Sequence, residues 1–172
     1  MSAEYTPAED TFLLCDYIDT IYGKSALEIG SGSGFVTKLL ESRFDFVVCT
    51  DIDYTTLYNQ TYAAQNRICC NAADAIHHKF DVIVSNPPYL DTKTVQFLDT
   101  DGGPGGIEVP VKFLRSATPL LHRDGHIAMV MSSLSRYDLF VQEASAMGLH
   151  SEIAIKRRLF FEEIYIVKMY YL

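Results

Sequence analysis

The chain has no C-x-x-C pair, no apolar run near the roughly twenty residues a membrane span needs, and no excess of basic charge. Each absence removes a class of protein. Without paired cysteines, Cys15, Cys49, Cys69 and Cys70 read as buried reduced thiols in a reducing compartment, three of them lying in apolar strand-like runs. Fourteen basic against 22 acidic side chains give a formal charge of -8, which works against a surface that tracks phosphates and disfavours direct nucleic-acid binding. The N-terminus carries Glu4, Glu9 and Asp10 in place of a basic flank and apolar stretch, so no signal peptide is expected. No membrane association is expected, and the expected compartment is the cytoplasm, with the nucleus as the alternative. Repeats, low-complexity tracts and interdomain linkers are missing as well, and 172 residues with 48% hydrophobic and 21% charged side chains suit one packed core. A single domain over 1–172 is expected, with 1–23 as an N-terminal helical segment.

Apolar runs alternate with helical patterns, the arrangement that builds a parallel sheet covered by helices on both faces. The expected class is α/β. A helix is expected from near Pro7 with Thr6 as its cap, then strands at Ser25–Ile29, Phe46–Thr50, Ile68–Cys70, Asp81–Ser85 and His126–Ser132. Helices are expected at Phe35–Ser42, Tyr54–Asn66, Val111–Leu121 and Tyr137–Met147, with a turn at Asp124-Gly125. The Gly-, Asp- and Thr-rich stretch Asp91–Pro110 reads as a long loop with one helical turn around Val95–Leu98. Two strand-like runs, Glu152–Leu159 and Ile164–Tyr171, are close enough to form an antiparallel hairpin that closes the sheet.

The first strand runs into Glu28-Ile29-Gly30-Ser31-Gly32-Ser33-Gly34 and then a helix. Glycines at Gly30, Gly32 and Gly34 let the turn reverse and bring backbone N–H groups close to a ligand at a helix N-terminus. Dinucleotide-binding enzymes use a related loop. Two carboxylates favour S-adenosylmethionine instead. Glu28 stands where it meets a cationic amino-acid group and repels a pyrophosphate, and Asp51, 17 residues after Gly34, suits both hydroxyls of a ribose. Asp53 is a rival for that role but reads better as a helix cap. Asp74 is either an acceptor for the adenine amine or a solvated turn residue.

Asn86-Pro87-Pro88-Tyr89 follows the fourth strand directly, at the edge where open α/β sheets bind ligands. Two prolines fix the backbone and remove donors, leaving carbonyls to accept. The Asn86 side-chain oxygen and the Pro87 carbonyl are then a pair of acceptors for one planar –NH2 group, with Tyr89 against its π-face. Such a nitrogen is a poor nucleophile because its lone pair is delocalised. Holding both N–H bonds turns the lone pair toward an electrophilic methyl and stabilises the positive charge that develops. No strong base and no metal is needed, and His77 and His78 lack companion ligands, so no metal site is expected.

With these motifs the chain resembles the class I S-adenosylmethionine methyltransferases, and among them the HemK-like release-factor glutamine methyltransferases of the small archaeal and eukaryotic type. Tyr5-Thr6-Pro7-Ala8-Glu9-Asp10-Thr11-Phe12-Leu13-Leu14, the Glu28 loop, Thr50-Asp51-Ile52, Asn86 to Tyr89 and Gly102-Gly103-Pro104-Gly105-Gly106-Ile107-Glu108-Val109 carry the resemblance, with a terminal hairpin through Arg157-Arg158 and Glu162-Glu163. It implies a Rossmann-like, seven-stranded, mostly parallel sheet with an antiparallel last strand and helices on both faces. It implies methylation of the glutamine in the Gly-Gly-Gln motif of a class 1 translation termination factor. It also implies a small zinc-binding activator subunit as partner, and Thr11, the Pro7 segment and Ile52 beside the cofactor.

An edge strand with little charge, Ile68-Cys69-Cys70, is an independent reason to expect strand addition by such a partner in a heterodimer. Pro88 and Arg158, with Asn86 and Tyr89, are expected on the substrate side. Arg157, Phe160 and Phe161 lie at the same end of the sheet. The alternatives are methylation of an amino group in DNA or RNA, methylation of protein lysine, a non-catalytic binding scaffold, and a nicotinamide-dependent dehydrogenase.

Overall fold

The computed structural model describes residues 8–62, 64–94, 96 and 100–172. The expected Thr6 cap and the Pro7 segment lie outside them, as does most of the expected turn at Val95–Leu98. Helix α1 (Glu9–Ile18) precedes β1 (Gly23–Ile29), α2 (Phe35–Leu40), β2 (Phe44–Asp51), α3 (Tyr54–Tyr58), β3 (Arg67–Cys69) and β4 (Phe80–Ser85). Helix α4 (Glu108–Ala117), β5 (Leu121–Ser132), α5 (Tyr137–Ala146), β6 (His150–Arg158) and β7 (Glu163–Tyr170) complete the order. The strands form one seven-stranded sheet in the order β3-β2-β1-β4-β5-β7-β6. All pairs are parallel until β7, which runs antiparallel to both β5 and β6, as the terminal hairpin requires.

The continuous apolar runs of the central strands follow from burial on both faces. Along β5, Ile127, Met129 and Met131 join the cluster under α4 and α5, while Ala128 and Val130 join the cluster under α1 and α2. The residues of β4 also divide between the two sides, Phe80 and Ile83 on one, Val82 and Val84 on the other, with a register shift between Phe80 and Val82 breaking strict alternation. This two-faced packing fixes the register, and with it the place where the strands' carboxyl ends meet.

Several boundaries differ from expectation for local reasons. The helix expected over Tyr54–Asn66 stops at Tyr58, because Gln60 turns inward to Ser31 and Gly32 while Tyr62 N–H donates to Ser33 O at 3.0 Å. The turn expected at Asp124-Gly125 is absorbed into a longer β5, with a register shift between Phe80 and Val82. Only glycine fits there, since a Cβ on Gly125 would lie 2.4 Å from Asp81 O. Helix α4 begins three residues early, at Glu108, with Pro110 in its first turn where no N–H is required. It ends at Ala117, and Pro119 sits in the short 3-10 turn that follows. The four cysteines are free, but only Cys49 is fully buried and Cys69 is exposed, which corrects the expectation of uniformly buried thiols. Among the described residues no helix is long and apolar enough to cross a membrane.

Candidate functional site

The carboxyl ends of β1, β2 and β4 open into a cavity of about 890 Å³. Its floor is the glycine loop. Gly30 and Ser31 N–H both donate to Thr50 O, at 2.9 and 3.0 Å, which pins the loop to the end of β2. Gly30, Gly32 and Gly34 all have positive φ, conformations that a side chain resists. Gly34 stands outside the cavity lining, and a Cβ on it would meet Tyr62 O at 2.3 Å, so its glycine serves the close approach of the 59–62 segment. Gly32 faces open space, with nothing within 4 Å of a would-be Cβ. Gln60 Nε2 donates to Ser31 Oγ at 2.9 Å and to Gly32 O at 3.1 Å, and so braces the loop from beneath.

Two carboxylates sit on this floor. Asp51 accepts from Gly32 N–H at 2.9 Å and from Asp53 N–H at 3.0 Å, so its oxygens are aimed by the backbone before any ligand arrives. Asp53 itself caps α3, accepting from Thr55 N–H at 2.8 Å. Glu28 is buried and accepts from the Thr37 hydroxyl. Burial pushes its carboxyl up to about 8, against the lowering effect of that hydroxyl. Among the described residues, acidic Asp10, Asp51, Asp53 and Glu108 line the cavity against one cation, Lys112, with Glu28 beside them able to ionise against a cationic group. That balance suits a cationic ligand and opposes a pyrophosphate. A carboxylate pair, open glycines and this charge fit S-adenosylmethionine and do not fit a dinucleotide.

The wall opposite is Asn86-Pro87-Pro88-Tyr89, all four of which line the cavity. Ser85 is fully buried and its hydroxyl donates to Ile29 O at 2.7 Å, tying the start of the motif to the end of β1. Asn86 Nδ2 donates to Thr11 Oγ1 at 3.4 Å, whereas the buried Asn86 Oδ1 has no hydrogen-bond partner among the described residues. An orphaned buried acceptor on a cavity wall is costly unless a ligand supplies the donor. The Tyr89 hydroxyl donates to Asp10 Oδ2 at 3.2 Å. Behind it, the glycine-rich segment packs against the Tyr89 backbone: a Cβ on Gly106 would lie 2.2 Å from Tyr89 O, and one on Gly102 would lie 2.8 Å from Tyr89 Cα.

Thr11, Glu28, Gly30, Gly32, Asp51, Ile52, Asn86, Pro87, Pro88 and Tyr89 are thus brought together around one cavity. Asp74 is not among them. It is turned away by Asn71 Nδ2, which donates at 2.9 Å, and by Ser116 Oγ at 3.3 Å, so Asn71 and Ala72 line the place expected for it. Arg158 is exposed on the edge strand β6 and does not reach the cavity; Arg157 is committed to Glu9 at 3.0 Å and Asp16 at 2.5 Å on α1. Gln60 under the loop, and Phe113 and Lys112 on the cavity lining, had no individual signal in the sequence. Asp10 did, because it stands beside Thr11 in the opening motif.

Comparison with known proteins decides the family, since the model of the methyltransferase small domain matches residues 8–157. The chain belongs to that family. Like its other members this small-domain methyltransferase uses S-adenosylmethionine as methyl donor. A Methanocaldococcus jannaschii protein with a provisional N5-glutamine methyltransferase name is 28% identical, over 95% of this chain and 89% of its own. Mouse methyltransferase HEMK2 is 29% identical, over 90% and 83%. Among solved structures, a chain of the E. cuniculi Mtq2–Trm112 complex, responsible for methylation of the eRF1 translation termination factor, superposes with a TM-score of 0.82. It is 25% identical and the match covers 98% of both chains.

Proposed function

We propose that this methyltransferase modifies the side-chain amide nitrogen of the glutamine in the Gly-Gly-Gln motif of a class 1 translation termination factor. The observation that carries the reading is the buried Asn86 Oδ1 on the cavity wall, without a partner among the described residues. A primary amide offers two coplanar N–H donors. Asn86 Oδ1 takes one and the Pro87 carbonyl the other, Pro88 keeps the backbone stiff, and the Tyr89 ring covers the amide face. Bound on the glycine loop, S-adenosylmethionine supplies an electrophilic methyl group. Glu28 receives the cofactor's ammonium and Asp51 its ribose hydroxyls, with Thr11, Gly30, Gly32 and Ile52 completing the pocket. By fixing both N–H bonds, Asn86 and Pro87 turn the nitrogen lone pair toward the methyl and stabilise the charge that forms on nitrogen. The proton then leaves to solvent without a dedicated base.

The neighbouring M. jannaschii and E. cuniculi proteins support the substrate class, as does the acidic net charge of -8, which is unfavourable for nucleic acid. A small zinc-binding subunit is the proposed partner. Strand β3 pairs only with β2 among the described residues and exposes Cys69, so its outer edge is open to strand addition. The test is a reconstituted reaction with a termination factor, a lysine-rich histone tail and an RNA oligonucleotide, read by mass spectrometry. One methyl on the Gly-Gly-Gln glutamine is expected. A methylated oligonucleotide beside an unmodified factor would overturn the reading.

A further inference from the structure

The N-terminal helix brings one buried carboxylate to both working side chains of the opposite wall. Asp10 is 9% exposed. Its Oδ2 accepts from the Tyr89 hydroxyl at 3.2 Å, and its Oδ1 accepts from Thr11 N–H at 2.7 Å and from the Thr11 hydroxyl at 3.4 Å. The same Thr11 Oγ1 accepts from Asn86 Nδ2 at 3.4 Å. Asp10 thus connects to Tyr89 directly and to Asn86 through one hydroxyl.

We propose that Asp10 is the positioning residue of the amide niche, setting the Tyr89 ring by its own oxygen and the Asn86 amide through the Thr11 hydroxyl. A side-chain amide has two orientations that differ by exchange of its oxygen and nitrogen, and the group facing it decides between them. A threonine hydroxyl has one proton. When that proton points to Asp10, Thr11 presents lone pairs to Asn86 and selects its Nδ2, which sends Oδ1 into the cavity. Without the carboxylate the hydroxyl rotates and donates to Asn86 Oδ1, so the acceptor meant for substrate is consumed internally. At Tyr89 the backbone is already fixed by Gly102 and Gly106, and the bond to Asp10 fixes what remains, the ring's rotation.

This inference rests on the use of Asn86 and Tyr89 proposed above, so its test has a readout independent of substrate. In uniformly 15N-labelled, cofactor-free protein, the Asn86 side-chain amide resonances shift in Asp10→Asn and in Thr11→Val, and Thr11→Ser returns them toward the parent position. In turnover, Asp10→Asn lowers kcat about tenfold to a hundredfold, the size of effect expected from misplacing a reacting group. The cofactor Kd stays within about threefold, while KM for the amide substrate rises because the Asn86 acceptor is lost to it. Thr11→Val loses rate to a similar degree and Thr11→Ser recovers most of it. If Asp10→Asn does not fold, the Thr11 pair carries the test alone. Parent kcat in Asp10→Asn overturns the proposal, as does a cofactor Kd weakened by the same factor as kcat, or a Thr11→Ser variant as slow as Thr11→Val. If the parent enzyme leaves glutamine unmethylated while the amide resonances respond as described, the substrate reading fails and the positioning role survives.

Discussion

Glu28→Gln should stabilise the cofactor-free protein and weaken cofactor binding at the same time. Burial holds the Glu28 carboxyl protonated in the fold until about 8, while the unfolded chain releases the proton near the ordinary 4.5. The folded state therefore binds more protons between these limits, and stability falls as pH rises through that window, by about 1.4 kcal/mol per pH unit. Near neutral pH the accumulated cost is about 3 kcal/mol. A glutamine cannot ionise in either state, yet its Oε1 still accepts from Thr37. In a chain of this size the recovered stability raises Tm by about 6–12 °C at neutral pH and by little near pH 4.5. Ligand binding reverses the sign. An ammonium group against Glu28 favours the carboxylate, so cofactor binding to the parent protein near neutral pH releases close to one proton, and the variant releases none. Differential scanning calorimetry from about pH 4.5 to 8, and isothermal titration in buffers of different ionisation enthalpy, measure the two effects. Equal Tm values for parent and variant across that range, or proton-neutral binding by the parent, would refute the reasoning.

His126 produces the opposite slope at lower pH. Burial, with Lys168 nearby, lowers it to about 4, so the unfolded chain takes its proton first and stability falls as pH drops from about 6.5 toward 4. The loss is up to about 3 kcal/mol, and urea unfolding of the parent and His126→Gln at neutral pH and near pH 4.5 should show the variant without this component. Gly34→Ala, with its Cβ driven toward Tyr62 O and φ at +79°, costs about 1–3 kcal/mol of stability. Gly32→Ala has room for its Cβ, so its thermal melt is higher than that of Gly34→Ala while its cofactor Kd is the more weakened. Asp51→Ala removes the acceptor of the Gly32 and Asp53 N–H groups and the proposed ribose contact, weakening cofactor binding about 10- to 100-fold in calorimetric titration.

The parallel sheet and its closing hairpin were legible because strands buried on both faces leave continuous apolar runs, as in Ile127–Met131, and because glycines punctuate their ends. The site was legible where chemistry demands a residue type at a strand terminus: Glu28, the alternating glycines, Asp51 and Asn86 to Tyr89. What the sequence concealed depends on long-range contacts. Gln60 sits in a polar, helix-like stretch, and nothing local reveals that it turns under the glycine loop. Gly34 reads as a ligand-binding glycine, yet its reason is the carbonyl of Tyr62. Asp74 follows a strand as an adenine-binding acid would, but Ser116 from α4, 42 residues later, captures it. Asp10 stands in the opening motif with no visible role until folding brings it against Tyr89.

The most direct test is a crystal structure with the demethylated cofactor product and a peptide containing Gly-Gly-Gln. Asn86 Oδ1 and the Pro87 carbonyl should each accept one N–H of the glutamine amide, with that nitrogen facing the product's sulfur across the gap left by the methyl. A glutamine amide bound elsewhere, or an Asn86 oxygen already engaged within the protein, would contradict the account.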